Sequence, residues 1–242
     1  MEQCHACGEE FKVVSSHYAQ SPCGYPELPN RLKERAEGEL AGDGSLDHVW
    51  RKNGNSALMV KMAGKSGLAY LQDLHRTFGS FSTGEPTSVT RTNSSQNWEP
   101  LYCWLTTTHP FFNTLAKKWY KERGGKRFPR GLEITPRFLK AWYCGDGNLD
   151  RPNLETLPRS RIAVASEYDN SSLLENLFKP TSFSPNVSRG EKKNGRKWLS
   201  IDFSVKETAK LLRYMGNPAP GYGYKWEHPD LSPEEKTEQP FC

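Results

Sequence analysis

Two stretches about a hundred residues apart spell nearly the same thing. GELAGDGSL runs from Gly38 to Leu46, and AWYCGDGNL from Ala141 to Leu149. Superposed, Gly38 meets Ala141, Ala41 meets Cys144, Gly42 meets Gly145 and Asp43 meets Asp146. The small residues recur at i, i+3 and i+4, which is one face of a helix. A face that small lets two helices approach backbone to backbone. If the two segments pack through it, their terminal aspartates arrive side by side. One Gly-Asp-Gly alone reads equally well as a helix stop and turn. Two copies with matching faces read as an internal repeat.

Paired carboxylates repel each other, and each lies at the negative end of its helix dipole. Such a pair calls for a positive charge between its members, most simply a hard divalent cation. Asp43 and Asp146 are therefore the first candidate site residues.

The rest of the chain repeats around this pair. In the first half, Asn30 is the expected N-cap of the motif helix. Strands follow at Asp47–Arg51 and Ser56–Ala63 about Asn53-Gly54-Asn55, then a helix at Gly67–Phe78 with one apolar face. Two more strands, Ser88–Asn93 and Leu101–Thr107, precede a helix from His109-Pro110 to about Lys121, stopped by Gly124-Gly125. In the second half, Thr135-Pro136 is a strong helix start. A strand at Arg161–Ser166, a helix at Ser172–Phe178, a hairpin of Ser182–Ser188 with Lys197–Ser204, and a helix at Lys206–Met215 complete it. Each half reads α-β-β-α-β-β-α. The fold class expected is α+β: two pseudo-symmetric repeats packed through their motif helices, with a saddle of two antiparallel sheets. The expected divisions are 1–29 (finger and linker), 30–130 (first repeat), 131–228 (second repeat) and 229–242 (an acidic tail, frayed).

Cys4-x2-Cys7, His17 and Cys23 have spacings near those of a structural zinc site. Gly8 permits the turn behind the cysteine pair, Phe11, Val13 and Val14 could cover one side, and His17 is better placed than His5. Four protein ligands leave no open coordination position, so Zn2+ here would be structural. Cys103 and Cys144 read as small core residues, and the thiol usage fits a reducing, intracellular compartment. No apolar run suits a membrane span, and the first residues do not form a signal peptide.

The chain carries a net charge of +5, unevenly placed. The segment Lys117–Lys140 holds nine Lys and Arg against Glu122 and Glu133. A second cluster, Arg189, Lys192, Lys193, Arg196 and Lys197, surrounds Asn194-Gly195. Alternating with aromatic and Ser/Thr-rich strands, these favour a polyanionic partner such as nucleic acid. Lys126 and Lys225 each follow a helix and a Gly-rich break at matching distances from Asp43 and Asp146, and could stabilise charge on a phosphate. No P-loop, dinucleotide fingerprint or G-x-S-x-G is present.

GELAGDGSL, ITPRFLKAWYCGDGNL, the connecting HPFFNTLAKKWYKERGGKRFP and the closing YKW resemble the LAGLIDADG homing endonucleases of the single-chain, two-motif kind. The resemblance covers about residues 30 to 228. It implies a monomer that cleaves both strands of double-stranded DNA across the minor groove, at a long recognition site. It implies that Asp43 and Asp146, with the backbone of Gly42 and Gly145, hold Mg2+, and that Lys126 and Lys225 are the pocket lysines. Strand residues would read the major groove. The same fold used without cutting, as an intron-RNA maturase or DNA-binding regulator, is the alternative. One departure is Glu39, where the family has an aliphatic residue. The strand residues that position water in the family have no recognisable match.

Overall fold

The computed structural model describes residues 2–4, 7–12, 16–18, 23–47, 56–90, 99–121, 124–151, 156–164, 171–191, 194–195 and 197–240. At the front, β1 (Glu2–Gln3) pairs antiparallel with β2 (Glu10–Phe11). The first motif helix, α1 (Asn30–Ala41), follows. Asn30 is not its cap: Pro29 takes that place in an extended conformation, and its carbonyl accepts from Leu32 and Lys33. A proline carbonyl serves the N-terminus without needing an N–H of its own.

The first repeat continues with β3 (Ser45–Asp47), β4 (Ala57–Ala63), α2 (Gly64–Phe78), β5 (Thr87–Val89), β6 (Leu101–Leu105) and α3 (Pro110–Trp119). The hairpin expected at Asn53-Gly54-Asn55 lies outside the described residues, as do 48–51 of the expected first strand and 91–93 of the third. A short hairpin comes next, β7 (Tyr120–Lys121) with β8 (Gly124–Lys126). Gly124-Gly125 therefore opens a strand rather than only stopping a helix, with Gly125 at φ +63 where the register of the pair is irregular.

The second repeat runs α4 (Pro136–Asp146), β9 (Gly147–Asp150), β10 (Arg159–Ala163), α5 (Ser171–Phe178), β11 (Asn186–Glu191), β12 (Lys197–Asp202) and α6 (Val205–Met215). Thr135 caps α4 as its sequence predicts, its hydroxyl accepting from the Phe138 N–H, with Pro136 at the first helical position. Strand β9 has no counterpart among the expected strands. It leaves the motif helix with no intervening loop, as β3 does after three residues, so no turn signal separates them.

The two sheets have matching topology. The first is ordered β3-β4-β6-β5 and the second β9-β10-β12-β11, antiparallel throughout. Both turn one face to a shared core. Leu58, Val60, Met62 and Trp104 enter it from the first sheet; Ile162, Leu199 and Ile201 enter from the second. Among the described residues no helix is long and apolar enough to cross a membrane.

Residues 229–240 are docked, not frayed. Leu231 is buried, and α7 (Pro233–Lys236) begins with a capping box between Ser232 and Glu235. Arg213 of α6 binds Glu235 at 2.9 Å and donates to the Asp230 carbonyl. Asn217 donates to the Glu234 and Thr237 carbonyls. Single polar contacts, invisible in an acidic composition, hold this segment.

Candidate active site

The motif helices α1 and α4 meet through the repeated small face. A Cβ on Gly38 would stand 2.4 Å from the Phe138 carbonyl oxygen and 2.7 Å from the Ala141 Cβ. At the far end, a Cβ on Gly145 would lie 2.9 Å from the Asp43 backbone nitrogen and 3.2 Å from the Gly42 Cα. The two backbones thus touch at the helix ends that carry Asp43 and Asp146. Glu34 ties the other ends together, accepting from Thr135 Oγ1 at 3.0 Å.

The carboxylates share one electrostatic site. Asp146 is half-buried, and desolvation followed by repulsion from Asp43 pushes its pKa up to about 7. Asp43 is also raised, chiefly by desolvation, against the pull of Lys126 and Lys225. Neither carboxylate takes a hydrogen bond or close ion pair from the described residues. Their acceptor lone pairs are all available in a spot where two negative charges converge.

The two lysines answer a different need. Lys126 Nζ donates to the carbonyls of Leu40 (2.9 Å), Gly42 (2.7 Å) and Gly44 (2.8 Å). Lys225 Nζ donates to Tyr143 (3.1 Å) and Cys144 (2.6 Å). Each ammonium thus caps the end of a motif helix; the Tyr143 carbonyl accepts both Lys225 and the Gly147 N–H. Burial lowers both lysine pKa values, and the nearby aspartates offset part of that; Lys225 also feels Cys144. The positions are pseudo-equivalent but the supports differ. Lys126 rides on the β7–β8 hairpin, whereas Lys225 sits in a 3-10 turn at Gly223–Trp226. Glu238 clips that turn, its two carboxylate oxygens accepting from Gly221 (2.9 Å) and Gly223 (2.8 Å). The β7–β8 hairpin and Glu238 escape sequence reasoning; the only signal is Gly-Gly between Tyr120 and Phe128.

This donor set fits a divalent oxygen-binding cation. It offers two carboxylates with raised pKa, no donor among the described residues bonded to them, and a pair of lysines already committed to carbonyls. Gly42 uses one carbonyl lone pair on Lys126, which leaves the other. Beneath the site, Glu39 is fully buried against Arg35 Nε at 2.7 Å and accepts from Tyr70 Oη at 2.7 Å. Burial raises the Glu39 pKa, and Arg35 and Tyr70 work against that rise.

The chemistry of the small face, the two aspartates and the doubled sheet is that of one family. The sequence model of the LAGLIDADG DNA endonuclease family matches residues 34–211. The chain belongs to that family. Among solved structures, this LAGLIDADG chain superposes on the homing endonuclease I-WcaI bound to its DNA recognition sequence. The TM-score is 0.68 at 20% identity, covering 91% of this chain and 95% of that one, a likeness of fold. A curated relative is the cytochrome b mRNA maturase bI2 of Debaryomyces hansenii, 30% identical over 125 residues. That match takes in 50% of this chain and 47% of the relative, so the chain spans about half the length of the curated protein it matches.

Away from the motif helices, Cys4, Cys7, His17 and Cys23 come together, their ligand atoms all within 4.8 Å of one another. Ligands at tetrahedral zinc distances stand roughly 3.3–3.8 Å apart, so the cluster needs only slight closure. Gly8, at φ +75, follows the cysteine pair and donates its N–H back to the Cys4 carbonyl. Phe11 stacks on His17 at 3.9 Å; Val13 and Val14 lie outside the described residues. The cluster is joined to the first repeat through Tyr18, Tyr25 and His109, with ring centroids 5.6 and 5.4 Å apart in turn. His109 Nδ1 accepts from Phe111 and Nε2 donates to the Pro26 carbonyl, which fixes a neutral tautomer.

The basic segment before α4 is less free than its composition implies. Lys118 pairs with Glu37 at 2.6 Å, Arg127 donates to the Lys117 and Lys118 carbonyls, and Lys140 is buried. Lys117, Lys121 and Arg130 remain exposed, while Arg123 lies outside the described residues. Of the second cluster, Lys192, Lys193 and Arg196 also lie outside them. Cys144 is in the core, its thiol pushed up to about 11 by burial. Cys103 is buried, but on the sheet face opposite the core.

Proposed function

We propose that this protein is a site-specific double-strand DNA endonuclease that hydrolyses one phosphodiester on each strand. The observation that carries this reading is the pairing, on touching helix ends, of two carboxylates that repel and that take no hydrogen bond from the described residues. Asp43 and Asp146, with the backbone of Gly42 and Gly145, are the residues that would hold Mg2+. When bound there, Mg2+ supplies charge neutralisation and an acidified water for phosphodiester hydrolysis. The chain's own work is positional. The Gly38–Ala141 and Gly42–Gly145 contacts fix the spacing of the carboxylates, and Lys126 and Lys225 pin the helix ends while adding positive charge next to a phosphate path.

The two outward sheet faces would lie along the major groove, and a single chain with both halves works as a monomer. The Cys4, Cys7, His17, Cys23 cluster would hold a structural Zn2+ that braces the N-terminal segment against His109. A second reading has a specific basis: the curated relative is named an mRNA maturase, so the fold could serve nucleic-acid binding without cutting.

A cleavage selection in Mg2+ on a library of duplexes, including the sequence flanking the gene joined without interruption, separates them. The Asp43→Asn/Asp146→Asn double variant is run alongside. Discrete double-strand cuts by the unsubstituted protein alone support the nuclease. Tight binding with no cuts by either protein favours the maturase-like reading instead.

A further inference from the structure

The two pseudo-symmetric sheets present chemically opposite outer faces. On the first, the cross-strand rows facing away from the core pair Ser45, Met59 and Leu105, then Lys61, Cys103 and Thr87, then Ala63, Leu101 and Val89. Met59, Leu101, Leu105 and Val89 are half-exposed and belong to neither the core nor its packed margin. Their inward neighbours Leu58, Val60 and Trp104 are fully buried on the other side. The result is an apolar stripe of Met59, Leu101, Leu105 and Val89 with Lys61 in its middle and one carboxylate, Asp47, in the end row opposite Ala57.

The second sheet has the reverse character. Its central outward row is Asn186, Asp202, Arg161 and Asn148. Arg161 is half-exposed and held in place: its Nε donates to Asp202 Oδ1 at 2.5 Å, and Nη1 lies 3.5 Å from Asp150 Oδ2. Ser200 donates to the other Asp202 oxygen at 3.0 Å, and these contacts hold the Asp202 pKa down. An arginine buttressed in this way keeps its fork in one orientation and loses little entropy on meeting a planar pair of acceptors.

In the DNA major groove the C5-methyl of thymine is the one apolar group on a base edge, whereas guanine offers the O6/N7 pair that suits arginine. Resting on the DNA reading above, we infer that the recognition site is chemically asymmetric. The half beneath the first repeat carries thymines read through their methyls by the face containing Met59, Leu101 and Leu105. The half beneath the second carries a guanine read by Arg161. The duplex is favoured over a protein partner for the apolar stripe because the stripe has the same place in its repeat as the Arg161 row, and because Lys61 stands in its middle. A protein partner for the stripe is an outcome of the test.

The full chain is used to select bound duplexes from a randomised pool without cleavage, and the enriched site is resynthesised with deoxyuridine for thymine in one half at a time. This removes only methyl groups. Binding is expected to weaken about fourfold for each contacted methyl, from the transfer free energy of one buried methyl, and in one half only. Met59→Ser/Leu105→Ser should flatten that uracil effect, and Arg161→Gln should relax the guanine preference in the other half alone. An enriched site that tolerates uracil throughout, or whose uracil effect falls in the half that Arg161→Gln relaxes, overturns the inference and leaves the DNA reading standing. The stripe would then belong to another partner. If no duplex is enriched, the DNA reading itself fails, and this inference with it.

Discussion

Gly38→Ala should separate the motif helices, and its sign makes it a sharp test. In an exposed helix interior this change stabilises by up to about 1 kcal/mol, because alanine has the better helix propensity. Here the new Cβ would stand 2.4 Å from the Phe138 carbonyl oxygen and 2.9 Å from the Phe138 Cα, both backbone atoms of α4. Ordinary contact lies near 3.5 Å, so the helices must part by about 1 Å. Overpacking of that kind costs about 1–3 kcal/mol, and the gain in propensity offsets only part of it.

The net loss should lower the melting temperature by a few degrees, at about 2–4 °C per kcal/mol for a chain of this size. The same separation carries Asp43 away from Asp146, so stabilisation by added Mg2+ should shrink in parallel. Thermal melts with and without Mg2+ read both effects. Adding Ala141→Gly removes the 2.7 Å Cβ contact but not the 2.4 Å one with the carbonyl, so rescue should be partial. A higher melting temperature for Gly38→Ala, or full rescue by Ala141→Gly, would refute the reasoning.

Other outcomes follow from the same structure. Asp146 has its folded pKa raised to about 7, above its unfolded value. Its ionisation therefore costs stability at high pH, and the cost disappears as pH falls through 7 toward the unfolded pKa. Without divalent ions, Asp146→Asn should raise the melting temperature most at pH 8, clearly less at pH 5, and hardly at all below about pH 4; a pH-independent difference would count against the paired-carboxylate argument. Because the bound cation needs the ionised pair, Mg2+ affinity should climb between pH 6 and 8, as titration calorimetry would register. Arg35→Met leaves Glu39 buried without its counter-charge, held by Tyr70 alone, so urea unfolding should show a loss of about 3–5 kcal/mol. Cys4→Ser should abolish one equivalent of bound zinc, measured by metal analysis, while the circular dichroism of the two repeats persists.

The parts legible in the sequence are those with a period. The doubled small face predicts the approach of Gly38 to Ala141 and of Gly42 to Gly145, and apolar spacing places the helices at Gly67–Phe78 and Lys206–Met215 to within three residues. The parts that escape it have no period to read. The strands of the β7–β8 hairpin are two and three residues long, too short for alternation to register. Strand β9 hides behind the motif helix because no loop separates them. Residues 229–240 look like an acidic fray because their anchoring rests on Leu231 and a few polar pairs. Cys103 reads as a core residue from its apolar neighbours, but alternation along β6 points it the other way. The lysines are legible by position, yet their carbonyl partners follow only from where the chain folds back.

The Glu238 clip on the Lys225 turn also sets an order of assembly. As the chain emerges from the ribosome, Lys126 can reach the end of its motif helix as soon as the β7–β8 hairpin has formed, using residues already made. The turn that carries Lys225 waits for Glu238, thirteen residues beyond the lysine, to accept from Gly221 and Gly223, and it leans on the first repeat, where a Cβ on Gly221 would meet the Ser66 carbonyl at 2.3 Å. The two halves look like copies, but they are completed at different times. The second lysine is secured only after the first repeat is in place to receive it, which delays the finished carboxylate site until the earlier half has folded.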